Sequence, residues 1–258
     1  MNFQPPIASN ATLHDSEALR ARMQEIGYLF FRGLVNPTHV LNVRREVLQI
    51  LSRYGILDSS VELIKGRMGD GSTPTRHELL TLHREINKLE SFNSLAHAPE
   101  ILSLMYGILE GEVLVHTRKI CRLKYPNDDY DLVLPHQDYF YIRGSLETYS
   151  AWLPLGDIDI STGGLAVAPK SHLRGFLPHE KSATSRFTGV NPKEADCVWH
   201  RSDYAPGDVL IFHSLTLHQG LPNRSDRVRL SVDYRYQREG TELEPSHLKP
   251  HFEDMTAP

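Results

Sequence analysis

After Gly111 the sequence stops reading as helix and becomes a series of short β-rich runs cut by turn residues. "EVLVHTRKICRLKYP", "YDLVLPHQDYF", "SLETYSAWLPL", "GGLAVAP", "DCVWHRSDY", "DVLIFHSLTLHQG" and "RVRLSVDYRYQ" are separated by punctuation such as "YPNDD", "STGG" and "APGD". Seven or so strands at this spacing specify a β-sandwich or barrel. The first hundred residues supply helices to cover one of its sheets. "DSEALRARMQEIG" has Asp15 as an N-cap, Leu19, Met23 and Ile26 on one face, and Gly27 as a stop. "YLFFRGLV" is a short apolar strand. "NPTHVLNVRREVLQILSRYG" begins with Asn36 as a cap and Pro37 in the first turn, and turns Val40, Val43, Val47, Ile50 and Leu51 inward. A loop at 66–75 leads to helices expected at about 76–90 and 98–109.

At 258 residues, with 40% hydrophobic and 23% charged, the chain reads as one globular domain spanning 1–258. Residues 1–110 form mostly helical support and 111–240 the β core, with a polar, weakly periodic insertion at about 171–196 as a lid. A net charge of −4 gives no electrostatic reason to expect nucleic acid or an anionic membrane as partner. The opening "MNFQPPIASNATLHDSEAL" lacks a basic start followed by an apolar run, so no secretory signal is expected, and no apolar run approaches membrane length. Two cysteines suit a reducing, cytoplasmic setting.

The informative count is 14 histidines. His-x-acid spacings arise by chance in such a chain, as in His83-x-Glu85 and His251-x-Glu253. His136-x-Asp138 differs because it ends an apolar β-run, where residues two apart share a face. A third ligand should come from a distant strand, and His218 stands 80 residues after Asp138, beside a Gly, Pro and Asn turn. Two imidazoles and one carboxylate on one side of a metal make the facial triad of non-haem Fe(II) oxygenases. Arg229, 11 positions beyond His218, is placed to grip the far carboxylate of a 2-oxo acid, with Ser231 two residues on adding a hydroxyl.

The order H-Q-D, W-x-x-L, G-G-L-x-x-x-P-x-S-H, P-G-D-x-x-x-F-H and H-x-x-x-x-N-x-S-x-x-x-R, over Leu134 to Tyr236, resembles the phytanoyl-CoA dioxygenase family. The helix followed by "GYLFFRGL" is similar to that family's opening. The resemblance implies a double-stranded β-helix (jelly roll, cupin-like barrel), mainly β with N-terminal helices. It also implies Fe(II), 2-oxoglutarate and O2 as the reacting set, with succinate and CO2 released and an unactivated C–H bond hydroxylated. It carries the iron ligands onto His136, Asp138 and His218, and the 2-oxoglutarate clamp onto Arg229 and Ser231. Gly163 departs from the family, many relatives having Asn there; an altered turn is expected. A carboxylate at Asp138 argues against halogenation, since halogenases on this scaffold have a small residue there. Desaturation, epoxidation and cyclisation stay open, as does a non-oxygenase cupin-like metal protein, although the chain has no His-x-His pair.

Other residues have plainer expectations. His116, His172, His200 and His213 read as hydrogen-bonded or surface histidines, and Trp152 as core, with a place beside the iron as the alternative. Arg118, Arg122 and Lys124 share strand parity; a solvated outer face is expected, and a cationic pocket lining is the alternative. Tyr139 or Tyr141 borders the pocket. The substrate reads as a small molecule, with an anionic one favoured over an acyl-CoA because no polybasic patch suits CoA phosphates.

Overall fold

The computed structural model describes residues 3–71, 73–191 and 193–253; Ser72 in the first loop and Pro192 in the lid-like insertion lie outside the described residues. The helices are α1 (Ser16–Ile26), α2 (Pro37–Arg53), α3 (Arg76–Ile86), α4 (Glu90–Leu95), α5 (Pro99–Leu109) and the single turn α6 (Tyr139–Ile142). Their ends follow the expected chemistry. The Asp15 side chain accepts from the Ala18 amide, Gly27 closes α1 in a left-handed conformation, and Asn36 caps α2 through the Thr38 amide. Thr75 and Glu78 form a reciprocal capping box at α3. The helix expected over 76–90 is instead two, because the chain reverses at Asn87–Leu89. The Asn93 amide fastens the reversal by donating to the carbonyls of Asn87 and Leu89.

The strands are β1 (Phe3–Gln4), β2 (Tyr28–Phe31), β3 (Val113–Val115), β4 (Ile120–Lys124), β5 (Thr148–Pro154), β6 (Gly164–Val167), β7 (His179–Lys181), β8 (Thr188–Val190), β9 (Trp199–His200), β10 (Val209–His213), β11 (His218–Leu221) and β12 (Arg229–Arg238). A major sheet runs β2-β10-β5-β12-β3, with β4 also paired to β12, and a minor sheet runs β1-β9-β6-β11. Pairing is antiparallel except between β1 and β9. This is the sandwiched jelly roll with helical support that the sequence indicates.

Strand parity explains the layering. On β12, Leu230, Val232, Tyr234 and Tyr236 face the helices, in one core with Val40, Val47, Leu51, Phe92, Ile101 and Met105. The hydroxyls of Tyr234 and Tyr236 donate to the carbonyls of Phe92 and Ala96, each at 2.8 Å, so two buried phenols tie α4 to the sheet without leaving a polar atom unpaired. The alternate side chains of β10 and β5, Leu210, Phe212 and Trp152, meet Leu165 and Val167 of the minor sheet in a second core between the sheets. The inner face of β12 is polar throughout: Arg229, Ser231, Asp233, Arg235 and Gln237, all buried. A row of buried polar groups on the central strand is costly unless each has a partner or a ligand, and this row marks the site.

The insertion at 171–196 contains the two-stranded β7–β8 hairpin. Gln137 pins it: its amide nitrogen donates to Gly175 and its amide oxygen accepts from Leu177, both at 2.8 Å. The Val190 amide donates to Pro135, also at 2.8 Å. No described helix is long and apolar enough to cross a membrane.

Candidate metal and co-substrate site

The structure gathers His136, Asp138 and His218, all buried, with one potential ligand atom from each within 4.8 Å of the others. They do not meet by strand alternation, as "YDLVLPHQDYF" leads one to expect. Residues 130–137 are irregular. His136 and His218 form an isolated bridge, each amide donating to the other's carbonyl at 3.0 Å. The chain then turns helical, and Asp138 has the dihedrals of a helix start (φ −58°, ψ −31°). His218 opens β11 rather than closing an apolar strand. The turn at Asp138 swings its carboxylate back to both imidazoles. Its Oδ1 lies 3.8 Å from Nε2 of His136 and 3.7 Å from Nε2 of His218.

The rings are oriented from behind. Nδ1 of His136 lies 2.7 Å from the Leu134 carbonyl, and Nδ1 of His218 lies 3.0 Å from that of Thr216. A carbonyl only accepts, so both Nδ1 atoms carry the proton and both Nε2 lone pairs face Asp138. Burial, then the neighbouring His218 ring, holds His136 well below the usual imidazole range; burial also lowers His218. Burial alone would raise the Asp138 carboxyl. The Arg235 guanidinium, the two imidazoles and the Ser150 hydroxyl outweigh it and keep the group ionised far below the ordinary carboxylate range. Two neutral imidazoles and a carboxylate in this arrangement could hold a divalent metal.

His136 and His218 line a cavity with an apolar wall of Val133, Trp152, Leu165 and Phe212 and a polar wall of Arg122, Lys124, Arg229, Ser231 and Asp233. Arg229 begins β12 and donates through Nη1 to the Gly164 carbonyl at 2.7 Å. Its Nε, and the hydroxyl of Ser231, have no hydrogen-bond partner among the described residues. Burial, reinforced by Arg122, pulls Arg229 down to about 10, so it is charged at neutral pH. A buried cation with an idle donor beside an idle hydroxyl fits a bound carboxylate. Asp233 does not serve as the counter-ion of Arg229, because it is engaged by Arg122 at 2.7 Å.

Two expectations change. Arg122 and Lys124 face inward and line the cavity, because the opposite face of β4, with Cys121 and Leu123, packs on the helices. Lys124 pairs with Asp131, and burial lowers it to about 8. Arg118 lies outside β4 and donates to the Ser246 carbonyl. Trp152 belongs both to the inter-sheet core and to the cavity wall. Tyr141 is the tyrosine beside the triad, its ring 5.5 Å from that of His136 and its hydroxyl donating to Thr188; Tyr139 packs on Phe176. The remaining histidines have local roles: His116 bonds Gln237, His200 the Tyr28 hydroxyl and His172 the Gln24 carbonyl, while His213 accepts from the Leu215 amide. Gly163 sits at φ 93°, where a Cβ would lie 2.6 Å from the Leu221 carbonyl at the end of β11, so this turn requires glycine. Arg235 and Ser150, which hold Asp138, were not apparent from the sequence. The signal available was parity, since Arg235 alternates in register with Arg229, Ser231 and Asp233.

The family model described as phytanoyl-CoA dioxygenase matches residues 23–231. A 1-deoxypentalenic acid 11-beta-hydroxylase from Streptomyces arenae is 30% identical over 87% of this chain and 82% of its own. The peroxisomal phytanoyl-CoA dioxygenase of Bos taurus is 22% identical over 83% of this chain and 66% of its own. Among solved structures, the non-heme alpha ketoglutarate dependent epimerase SnoN from nogalamycin biosynthesis superposes with a TM-score of 0.63 at 22% identity, over 90% of this chain and 86% of that one. EctD from S. alaskensis, with bound Fe, gives 0.63 at 15% identity, over 95% and 86%. These two likenesses concern the fold.

Proposed function

The chain belongs to the phytanoyl-CoA dioxygenase family, and on that premise we propose that it is an iron- and 2-oxoglutarate-dependent oxygenase that hydroxylates a small, carboxylate-bearing molecule. His136, Asp138 and His218 hold the metal in this reading, and Arg229 with Ser231 holds the far carboxylate of 2-oxoglutarate. The observation that carries it is the juxtaposition of three convergent buried ligand atoms with a buried guanidinium that has no carboxylate partner among the described residues. When bound, iron and 2-oxoglutarate together activate dioxygen, with release of succinate and CO2, and supply the oxidising power the side chains lack.

The chain's own residues bind, orient and exclude water. The Leu134 and Thr216 carbonyls keep both imidazoles turned to the metal. The Arg229 fork sets the orientation of the co-substrate and Ser231 adds a donor. Trp152, Leu165 and Phe212 keep the cavity wall apolar beside the reacting centre. The insertion with the β7–β8 hairpin is bonded to the segment that carries His136 and Asp138 through Gln137 and Pro135.

An anionic substrate is supported by the Streptomyces relative, whose name specifies a carboxylic acid; Arg122 and Lys124 on the cavity wall are already paired with Asp233 and Asp131. Hydroxylation is supported by that relative's name, and the carboxylate at Asp138 argues against halogenation alone. The free thiols Cys121 and Cys197 support a reducing, cytoplasmic location. The test is succinate formation from 2-oxoglutarate with Fe(II), followed by mass spectrometry for the gain of one oxygen in a panel of small carboxylic acids and a CoA thioester. Turnover abolished by His136→Ala or Asp138→Ala supports the assignment; no consumption of 2-oxoglutarate across the panel refutes it, and preference for the thioester refutes the substrate class.

A further inference from the structure

Asp138 is held by more than a ligand needs. Its Oδ1 faces the two Nε2 atoms, while its Oδ2 accepts a hydrogen bond from the Ser150 hydroxyl and lies 3.4 Å from Nε of Arg235. Nη2 of Arg235 reaches Oδ1 at 3.3 Å, so the guanidinium spans the carboxylate edge. Arg235 and Ser150 are register partners on the neighbouring strands β12 and β5 and project from the same inner face. Asp138 is laid across them by α6, where the amides of Tyr141 and Ile142 both donate to its carbonyl at 2.9 Å. Arg235 is 3% exposed, and among the described residues Asp138 is the carboxylate paired with it. Burying an arginine is expensive, and the cost is recovered only through good geometry.

We infer that Arg235 and Ser150 are positioning residues that make Asp138 a one-oxygen metal ligand by occupying its outer oxygen. The inference rests on the metal role proposed above for the triad. A carboxylate offers about four lone-pair directions, two on each oxygen. Oδ2 takes both the Ser150 hydroxyl and a guanidinium N–H, whereas Oδ1 takes one guanidinium N–H and keeps a lone-pair direction for coordination. The consequence is functional. A facial triad must leave three positions for a chelating 2-oxo acid and dioxygen, and a carboxylate that swings round to use both oxygens would consume one of them. Ser150 and Arg235 therefore act through Asp138 on co-substrate binding without touching the co-substrate.

The plainer role for Arg235, neutralising a buried charge, makes a different prediction. Charge neutralisation is served by lysine as well as by arginine, and it is indifferent to Ser150, which carries no charge. Ser150→Ala, Arg235→Lys and Arg235→Leu separate the two roles in the full-length, Co(II)-loaded protein. The readouts are the visible spectrum of Co(II), its coordination shell by X-ray absorption, and 2-oxoglutarate affinity by titration calorimetry. Wild type is expected to take up one Co(II) per chain and then 2-oxoglutarate. Ser150→Ala and Arg235→Lys are expected to keep the Co(II) but to show an altered spectrum, an added carboxylate oxygen in the shell and 2-oxoglutarate binding weakened about tenfold or more. Should Arg235→Leu fail to fold, Ser150→Ala, which removes one hydrogen bond and no charge, carries the test. Wild-type spectra and affinities within twofold in both Ser150→Ala and Arg235→Lys overturn the clamp alone. A wild-type chain that binds no Co(II) overturns the metal role itself.

Discussion

Replacing Arg229 with glutamine removes the charge and the fork while keeping a donor of similar reach. In the wild-type chain Nε of Arg229 and the Ser231 hydroxyl are buried with no partner among the described residues, beside the triad and the apolar cavity wall. A hydrogen bond to a charged group contributes about 1.5–3 kcal/mol, and two in parallel on one carboxylate about 3–4 kcal/mol after the neutral amide's residual bond is allowed for. At about 1.4 kcal/mol per tenfold, the 2-oxoglutarate Kd should rise roughly 100- to 1,000-fold. Anaerobic calorimetry on the metal-loaded protein reads this directly. Pyruvate is the control, because it presents the same keto acid end and lacks the far carboxylate; its affinity should change little. Arg229 also donates to the Gly164 carbonyl, so a Tm lower by a few degrees is expected and does not count against the argument. Because burial brings Arg229 down to about 10, wild-type affinity should hold from pH 6 to 8 and fall as the pH rises through about 10. A change in 2-oxoglutarate Kd below fivefold, or an equal loss for pyruvate, refutes the carboxylate clamp.

Three other outcomes are expected. Gly163→Asn forces a Cβ to within 2.6 Å of the Leu221 carbonyl at φ 93°, and should cost about 1–3 kcal/mol in denaturant unfolding; unchanged stability would show that the turn relaxes freely. Gln137→Ala removes the amide that joins the hairpin to the triad segment through Gly175, Leu177 and Leu215, so hydrogen exchange should accelerate at 175–181 while the β12 amides stay protected. Protection of 175–181 unchanged from wild type refutes the anchoring role. His83, His116 and His213 are each lowered to about 4, chiefly by burial. Their folded values lie below the unfolded imidazole's 6.5, so the unfolded chain binds more protons and stability must fall as the pH drops from about 6.5 to 4. Each group contributes on the order of 1–3 kcal/mol. Metal-free unfolding curves that coincide at pH 7 and pH 5 contradict this.

The elements legible in the sequence were those governed by local chemistry. Asp15, Asn36 and Gly27 mark helix ends because capping depends on neighbouring residues alone, and strand parity on β10 and β12 follows from alternation. The convergence of His136, Asp138 and His218 was legible too, through their order and spacing, and so was the buried place of Arg229 beside them. What escaped was set by tertiary packing. The apolar run before His136 looks like a strand, yet the chain gives up pairing there to bridge β11 and turn helical at Asp138. Arg122 and Lys124 looked solvated because a charged strand face usually is. On β4 the other face is taken by the helices, so the charges turn to the cavity. Arg235 was visible as an alternating residue, but its pairing with a carboxylate 97 positions earlier in the chain is a property of the fold.

The most direct measurement is an anaerobic titration of the metal-free protein with Fe(II) in the presence of 2-oxoglutarate, following the visible charge-transfer absorption of the chelate. The band should rise to saturation at one iron per chain in wild type and be absent in folded His136→Ala, Asp138→Ala and His218→Ala proteins. A wild-type protein that develops no band, or variants that develop it undiminished, would contradict the assignment of these three side chains.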